Sequence, residues 1–285
     1  MFPFSDADTV GSRRPIVNLS LITICCLTFV YEIVISRLAI IGGGDNLAIT
    51  VLFLKLGFIP SEITTGQEFT TVRNVFFDLN IKTPFHNYLS PVTSLFLHGG
   101  LMHLLGNMMF LWVFGDNIEN HMGHFKYLLF YLMAGLVATF SHWFVNPVSE
   151  IPLIGASGAV SGVLGAYLLT FPYNRVKVLV IFLLITVVQL RAMWLLGLWF
   201  AWQIIQGSFQ LGISDQVSVA FFAHIGGFLF GAIVIGLYRL LTGKRIWPDN
   251  SSNASLDAKY WRGRPKLSLC WYRMLCVINW VEIQN

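Results

Sequence analysis

Charged residues are scarce: Asp, Glu, Lys and Arg make up 11% of the 285 residues, against 55% hydrophobic ones. A soluble domain of this size carries about 25% charge, so most of this chain has no water-facing side and its solvent is lipid. Cysteine is sparse as well. Cys25 and Cys26 are neighbours in the first apolar run, and Cys270 and Cys276 lie near the C-terminal end. That spacing offers neither a disulfide framework nor a metal-ligand set. No HExxH segment occurs, which excludes the zinc metalloproteases that need one. No internal repeat is found. The net charge of +4 would suit nucleic acid, but the basic residues sit at the ends of apolar runs, where membrane topology is written. A nucleic-acid partner is therefore not expected.

What is present is a series of long apolar runs. Crossing the hydrocarbon core takes roughly 20 such residues. Six segments approach or meet this length, at about 16–36, 99–115, 124–145, 153–172, 190–208 and 217–241. A seventh candidate, 176–190, is short and flanked by Arg175, Lys177 and Arg191. With six spans and the N-terminus inside, Arg13, Arg14, Lys126, Arg175, Lys177, Arg191, Arg239, Lys244 and Arg245 all face the cytoplasm. A seventh span would send Arg239, Lys244 and Arg245 outside, against the positive-inside rule. The segment 176–190 is thus expected to be a cytoplasmic, membrane-hugging connection. The first run follows Arg13 and Arg14 but lacks a small-residue cleavage site, so it reads as a retained span.

The expected fold is all-α: a polytopic bundle of six transmembrane helices. A cytoplasmic segment 1–15 precedes a membrane domain over 16–241, and a cytoplasmic tail covers 242–285. An external loop of about 41–97 follows the first span. It is far longer than an ordinary helix connection, which points to a functional role or partial immersion. The Trp-rich end of the tail, 267–285, reads as an interfacial segment.

Polar groups in a bilayer core cost free energy and need a reason. Here they gather in three spans: His103 and Asn107 in HGGLMHLLGNMMFLW, Ser157 in IPLIGASGAVSGVLGAYLL, and His224 in AFFAHIGGFLFG. Counted from the span entries at ~1.5 Å per residue, His103 and Ser157 lie about 6 Å below the external surface and His224 about 10 Å. Small residues at four-residue spacing let membrane helices approach closely. Gly158 and Gly162 provide this in the fourth span, as do Ser161 and Gly165, and Ala223, Gly227 and Gly231 provide it in the sixth. His224 shares the face of Gly227 and Gly231, so Ser157 and His224 are expected to meet across the seam.

A serine hydroxyl becomes a nucleophile when a base about 3 Å away accepts its proton, and a neutral imidazole suits that task. A tetrahedral oxyanion then needs preorganised donors. His103 and Asn107, one turn apart on one helix face, can supply them. Gly155 and Gly158 free the backbone around Ser157, whose own N–H can add a third. No carboxylate occupies the external third of these three spans, which favours a Ser–His dyad over a triad. No metal or organic cofactor is called for.

These residues resemble the rhomboid intramembrane serine proteases. The run from Ser90 to Gly135 is similar to the family's second and third spans, and GASGAVSGVLGAYLL and AHIGGFLFG to its nucleophile and base motifs. The resemblance covers roughly 90–235. It implies that Ser157 is the nucleophile, His224 the base, and His103 with Asn107 the oxyanion site. The implied substrates are membrane proteins with a helix-weakened transmembrane segment, cut near the external face of a bacterial-type cell membrane. Two features depart from the family pattern. Ser161 stands where some members have a tyrosine stacking under the base, and no Trp–Arg pair is evident in the first external loop.

Blander readings attach to other residues. Ser161, Gly162 and Gly165 read as packing and His98 as structural. His121, His124 and His142 read as interfacial, and Glu119 as an anchor for a helix end. Trp143 and Tyr173 fit an interfacial aromatic belt. The competing functional classes are a haem-binding or channel-like membrane protein, which leaves the GASG motif unexplained, and a catalytically inactive substrate-binding relative.

Overall fold

A computed structural model describes residues 2–6, 14–42, 44, 46–67, 71–74, 77–80, 87–181, 185–210 and 219–249. The chain divides into a unit Met1–Pro248 and a second, Asp249–Asn285. The elements below all belong to the first, and the Trp-rich segment 267–285 lies outside the described residues.

Strand β1 (Phe2–Asp6) precedes α1 (Ile16–Ile35). The long loop carries α2 (Leu47–Leu56), α3 (Pro60–Thr65), the antiparallel pair β2 (Thr71–Asn74) and β3 (Phe77–Asn80), and α4 (Ser90–Thr93). Helix α5 (Leu101–Phe110) runs through a π-helical turn, Leu111–Gly115, into α6 (Asp116–Met122). Then come α7 (His124–Val145), α8 (Ser157–Thr170), the hairpin β4 (Arg175–Ile181) and β5 (Ile185–Arg191), α9 (Ala192–Gln210) and α10 (Phe221–Leu241).

By length and apolarity α1, α7 and α10 can each cross a membrane, and the segment Ser90–Phe96 joined to Leu101–Met122 forms a fourth candidate bent by 95°. The remaining two helices of the bundle differ in kind. α8 is buried on every side from Gly158 to Tyr167, as expected of a helix apolar all round, and it is the centre of the bundle. Its 14 residues reach only about 21 Å, short of a hydrocarbon core of about 30 Å. The helix within the expected span of 153–172 is thus shorter than the apolar run. Ser157 is the first residue of its helix, not a turn inside it. The second span is longer than expected, since the π turn carries it on to Met122. The described part of the last one begins at Phe221, which makes His224 its fourth residue.

The segment 176–190 does not span. It forms a hairpin, and β1 joins it in a three-stranded antiparallel sheet of order β1-β4-β5. This sheet is an addition to the all-α expectation. Its period-two pattern is visible in Arg175-Val-Lys-Val: Val176 and Val178 are fully buried while Arg175 is exposed.

The end of the bundle away from Ser157 is tied by polar contacts. α1 has no side-chain cap of its own, and its first N–H groups lack intrahelical partners. Glu119 takes them: Oε1 accepts from Val17 N–H at 2.9 Å and Oε2 from Asn18 N–H at 2.7 Å. A carboxylate at a helix N-terminus is also favoured by the helix dipole. Asn18 Nδ2 donates to the Leu111 carbonyl of the π turn at 2.9 Å, and Tyr127 Oη–H donates to Asn18 Oδ1 at 2.8 Å. From β1, the Asp6 carboxylate accepts hydrogen bonds from Asn117 and Tyr167.

The loop is docked at the other end. Phe58 and Leu153 exchange both backbone hydrogen bonds, at 3.0 and 2.7 Å, and Ser61 N–H donates to Ser149 O at 3.0 Å. Trp143 Nε1–H donates to Thr64 Oγ1 at 2.9 Å. The loop is thereby fastened to the stretch that leads into Ser157, with no Trp–Arg pair required.

Candidate active site

The site rests on the α8–α10 seam. A Cβ on Gly227 would meet the carbonyl oxygen of Gly158, and one on Gly231 that of Gly162. On the other side of α8, a Cβ on Gly158 would lie 2.5 Å from Ala138 Cβ, and one on Gly162 2.5 Å from Ala134 Cβ. Backbone therefore packs on backbone between α8 and α10, and α7 packs its alanine methyls against the glycines of α8, as small-residue faces permit. Gly165 belongs to the same seam, against the Phe228 carbonyl.

That approach brings Ser157 Oγ to 2.8 Å from His224 Nε2, within hydrogen-bonding range. Ser157 opens α8, and Ala156 before it gives no side-chain cap. The first N–H groups of α8 are therefore free of intrahelical partners and carry the positive end of the helix dipole.

Gly155 adopts φ +119°, a region that L side chains rarely enter. A Cβ there would sit 2.7 Å from His103 Nε2 and 3.8 Å from Ser157 Oγ, so the missing side chain leaves the His103 ring edge close to Ser157. Gly99 N–H donates to His103 Nδ1 at 3.4 Å. A neutral imidazole with Nδ1 as acceptor carries its proton on Nε2, the atom that faces Gly155. Asn107, one turn further along α5, is buried, and its Nδ2 has no hydrogen-bond partner among the described residues. An unpaired buried amide donor is rare in a folded protein, and here it lies on the same helix face as His103. A small cavity lined by Ser94, Leu95, Thr139, Gly155, Ser157 and Ala223 opens beside the serine.

His224 is held without a tyrosine at position 161. Two residues of α9 hold it, and neither was singled out. Gln203 Oε1 lies 2.8 Å from His224 Nδ1, and the Trp199 ring lies 6.1 Å from the imidazole at 37°. The signal for Gln203 was available: an amide within an otherwise apolar run, AMWLLGLWFAWQIIQGSFQ. Ser161 turns inward and donates to the Ser157 carbonyl at 2.6 Å, so it does not reach the base.

The other polar residues fall as follows. His98 is fully buried: its backbone N–H donates to Glu32 Oε1 at 3.1 Å, Nδ1 lies 3.2 Å from Phe96 O, and its ring meets that of His103 edge-on at 5.3 Å between centroids. Glu32, a buried acid of α1, was also missed. His124 pairs with Glu119 at 2.5 Å, and His121 packs on Phe171 and Tyr238. His142 is buried in the last turn of α7, where the docked loop covers its neighbours. Among the described residues no three His, Cys, Asp or Glu side chains gather to hold a metal ion.

The arrangement pairs a hydroxyl with an imidazole and leaves the His103 ring edge beside Gly155. Comparison with known proteins adds to this. Residues 86–240 match the Rhomboid domain model. Over 147 residues the chain is 33% identical to Rhomboid-like protein 11, chloroplastic, of Arabidopsis thaliana, covering 51% of each chain. It is 29% identical over 187 residues to RHOMBOID-like protein 6, mitochondrial, of the same plant, covering 65% of this chain and 54% of that one. A stretch of 84 residues is 38% identical to Rhomboid protease GluP of Bacillus subtilis (strain 168), covering 30% of this chain and 16% of that one. The chain thus spans about half the length, or less, of these curated relatives.

Proposed function

The chain belongs to the rhomboid family, and from this premise we propose that it is an intramembrane serine endopeptidase cutting transmembrane segments of other membrane proteins. The observation that carries the proposal is the 2.8 Å contact between Ser157 Oγ and His224 Nε2, made at the start of the helix buried at the centre of the bundle.

In this reading Ser157 Oγ attacks the scissile carbonyl carbon while its proton passes to His224 Nε2. The oxyanion is met by Asn107 Nδ2–H, His103 Nε2–H and the N–H of Ser157. His224 then gives the proton to the leaving amine, and the C–N bond breaks to leave an ester on Ser157. Water, deprotonated by His224, attacks that ester and restores the hydroxyl. A peptide bond within a helix is shielded, so the substrate segment must unwind locally. Gly and Pro weaken helices and favour such sites.

The basic residues Arg14, Lys126, Arg175, Lys177, Arg191 and Arg239 cluster toward the ends of helices away from Ser157. By the positive-inside rule those ends and both termini are cytoplasmic, and Ser157 works near the external face of a bacterial-type cell membrane.

The test is cleavage of a single-span substrate in detergent by the wild type, Ser157→Ala and His224→Ala. The wild type should cut and both variants should not. Equal cleavage by all three overturns the proposal.

A further inference from the structure

The face that α9 buries is made of Ala192, Leu196, Gln203 and Gly207, positions that share one stripe of a helix. On it Gln203 is the single side chain with polar atoms. An amide buried without a partner is costly, and this one spends its oxygen on a single atom, His224 Nδ1 at 2.8 Å. Trp199, one turn earlier, lays its ring near the same imidazole. Gly207, one turn later, lets α9 close on α10, where a Cβ would lie 3.3 Å from Ile225 Cδ1.

We infer that Gln203 is the positioning residue of the Ser157–His224 pair, fixing the tautomer in which the imidazole can act as a base; this rests on the hydrolase reading above. A neutral imidazole has one N–H and one lone pair. With the proton on Nδ1 and directed at the Gln203 oxygen, the Nε2 lone pair faces Ser157 and can take its proton. With the proton on Nε2, the ring donates to Ser157 Oγ and cannot accept from it. The amide oxygen at Nδ1 selects the first state. Once Nε2 has taken the serine proton, the Nδ1–H bond to Gln203 persists and no proton passes to the amide. The base is carried on α10 and its orienting acceptor on α9, so displacing α9 strips the base of that acceptor.

The experiment uses the full-length protein in detergent micelles, labelled with 15N at the histidine ring. The His224 signals are assigned by their loss in His224→Phe. The wild type should show Nδ1 protonated and Nε2 unprotonated. Gln203→Leu, nearly isosteric but without an acceptor, should give a mixed or reversed tautomer. It should lower kcat on a single-span substrate by roughly 10- to 1000-fold, with KM held within about threefold. Gln203→Met carries the same expectation should the leucine variant fold poorly. Gln203→Glu keeps an acceptor oxygen and should bring kcat back to within about tenfold of wild type. A wild-type His224 protonated at Nε2, or a Gln203→Leu protein with unchanged tautomer and kcat, overturns the inference while leaving the hydrolase reading intact. A wild type that does not cleave overturns that reading instead, and the tautomers of wild type and Gln203→Leu still decide the positioning role.

Discussion

Gly227 of α10 lies directly against the carbonyl oxygen of Gly158 in α8, with no room between them for a methyl group. Gly158 is the neighbour of Ser157, and Gly227 lies one turn from His224. The distance between the two backbones therefore sets the distance between hydroxyl and imidazole.

Gly227→Ala should force α8 and α10 apart. Overpacking of this kind costs typically about 1–3 kcal/mol, and the widened seam should reduce proteolysis by more than about tenfold, since a displacement near 1 Å can cost far more. Gly236→Ala serves as control. It lies on the same helix, its Cβ would find only Leu169 Cδ1 at 3.7 Å, and it should keep near wild-type stability and rate. Thermal unfolding in detergent and cleavage assays on both variants check this.

Asn107→Ala should separate activity from stability. Its Nδ2 has no partner to lose among the described residues, so the melting temperature should hold or rise, while cleavage falls roughly 10- to 1000-fold. Asn18→Ala should do the reverse. It removes the donor to Leu111 O and the acceptor for Tyr127, leaving buried groups unsatisfied at about 1–3 kcal/mol each. The protein that still folds should cut at close to the normal rate.

Gly155→Ala tests the shape of the pocket. The new methyl would occupy strained backbone and press on the His103 ring, and cleavage should drop by more than about tenfold. Gly99→Ala also adds a methyl near His103 but meets only ordinary contacts, the nearest at 3.5 Å from Ile154 Cδ1. It should be tolerated.

Glu119→Gln probes the anchor at the far end. The neutral amide can accept only one of the two N–H bonds from Val17 and Asn18 in the present geometry. A loss of about 1–3 kcal/mol should appear as a lower melting temperature, with kcat per folded molecule unchanged. A changed kcat would show that α1 reaches the chemistry.

The sequence revealed the parts of this molecule that are expensive in lipid. Ser157, His224, His103 and Asn107 stood out because polar side chains in apolar runs require a reason, and the glycine spacing of α8 and α10 gave the seam that joins two of them. Hydropathy does not mark where a helix starts: Ser157 opens α8 and His224 is the fourth residue of α10. Residues 153–156 are as apolar as α8 itself yet run outside it. The sheet is hidden for a related reason: an apolar run next to lipid carries little contrast between its faces, and neither the length nor the flanking charge of 176–190 marks a strand. Gln203 is inconspicuous because an amide lacks the charge that makes a buried residue stand out, and its partner is 21 residues away on another helix. Glu119 was legible as an anchor, but not as the cap of α1, 102 residues earlier in the chain.

The central claim is that His224 makes Ser157 a nucleophile. A fluorophosphonate that phosphonylates activated serines, followed by peptide mass spectrometry, reads this directly without knowledge of the substrate. The wild type should carry one adduct, on the peptide containing Ser157, and His224→Ala should carry almost none at the same protein and reagent concentrations. An unlabelled wild type, an adduct on a different serine, or equal labelling of Ser157 with and without His224 would contradict it.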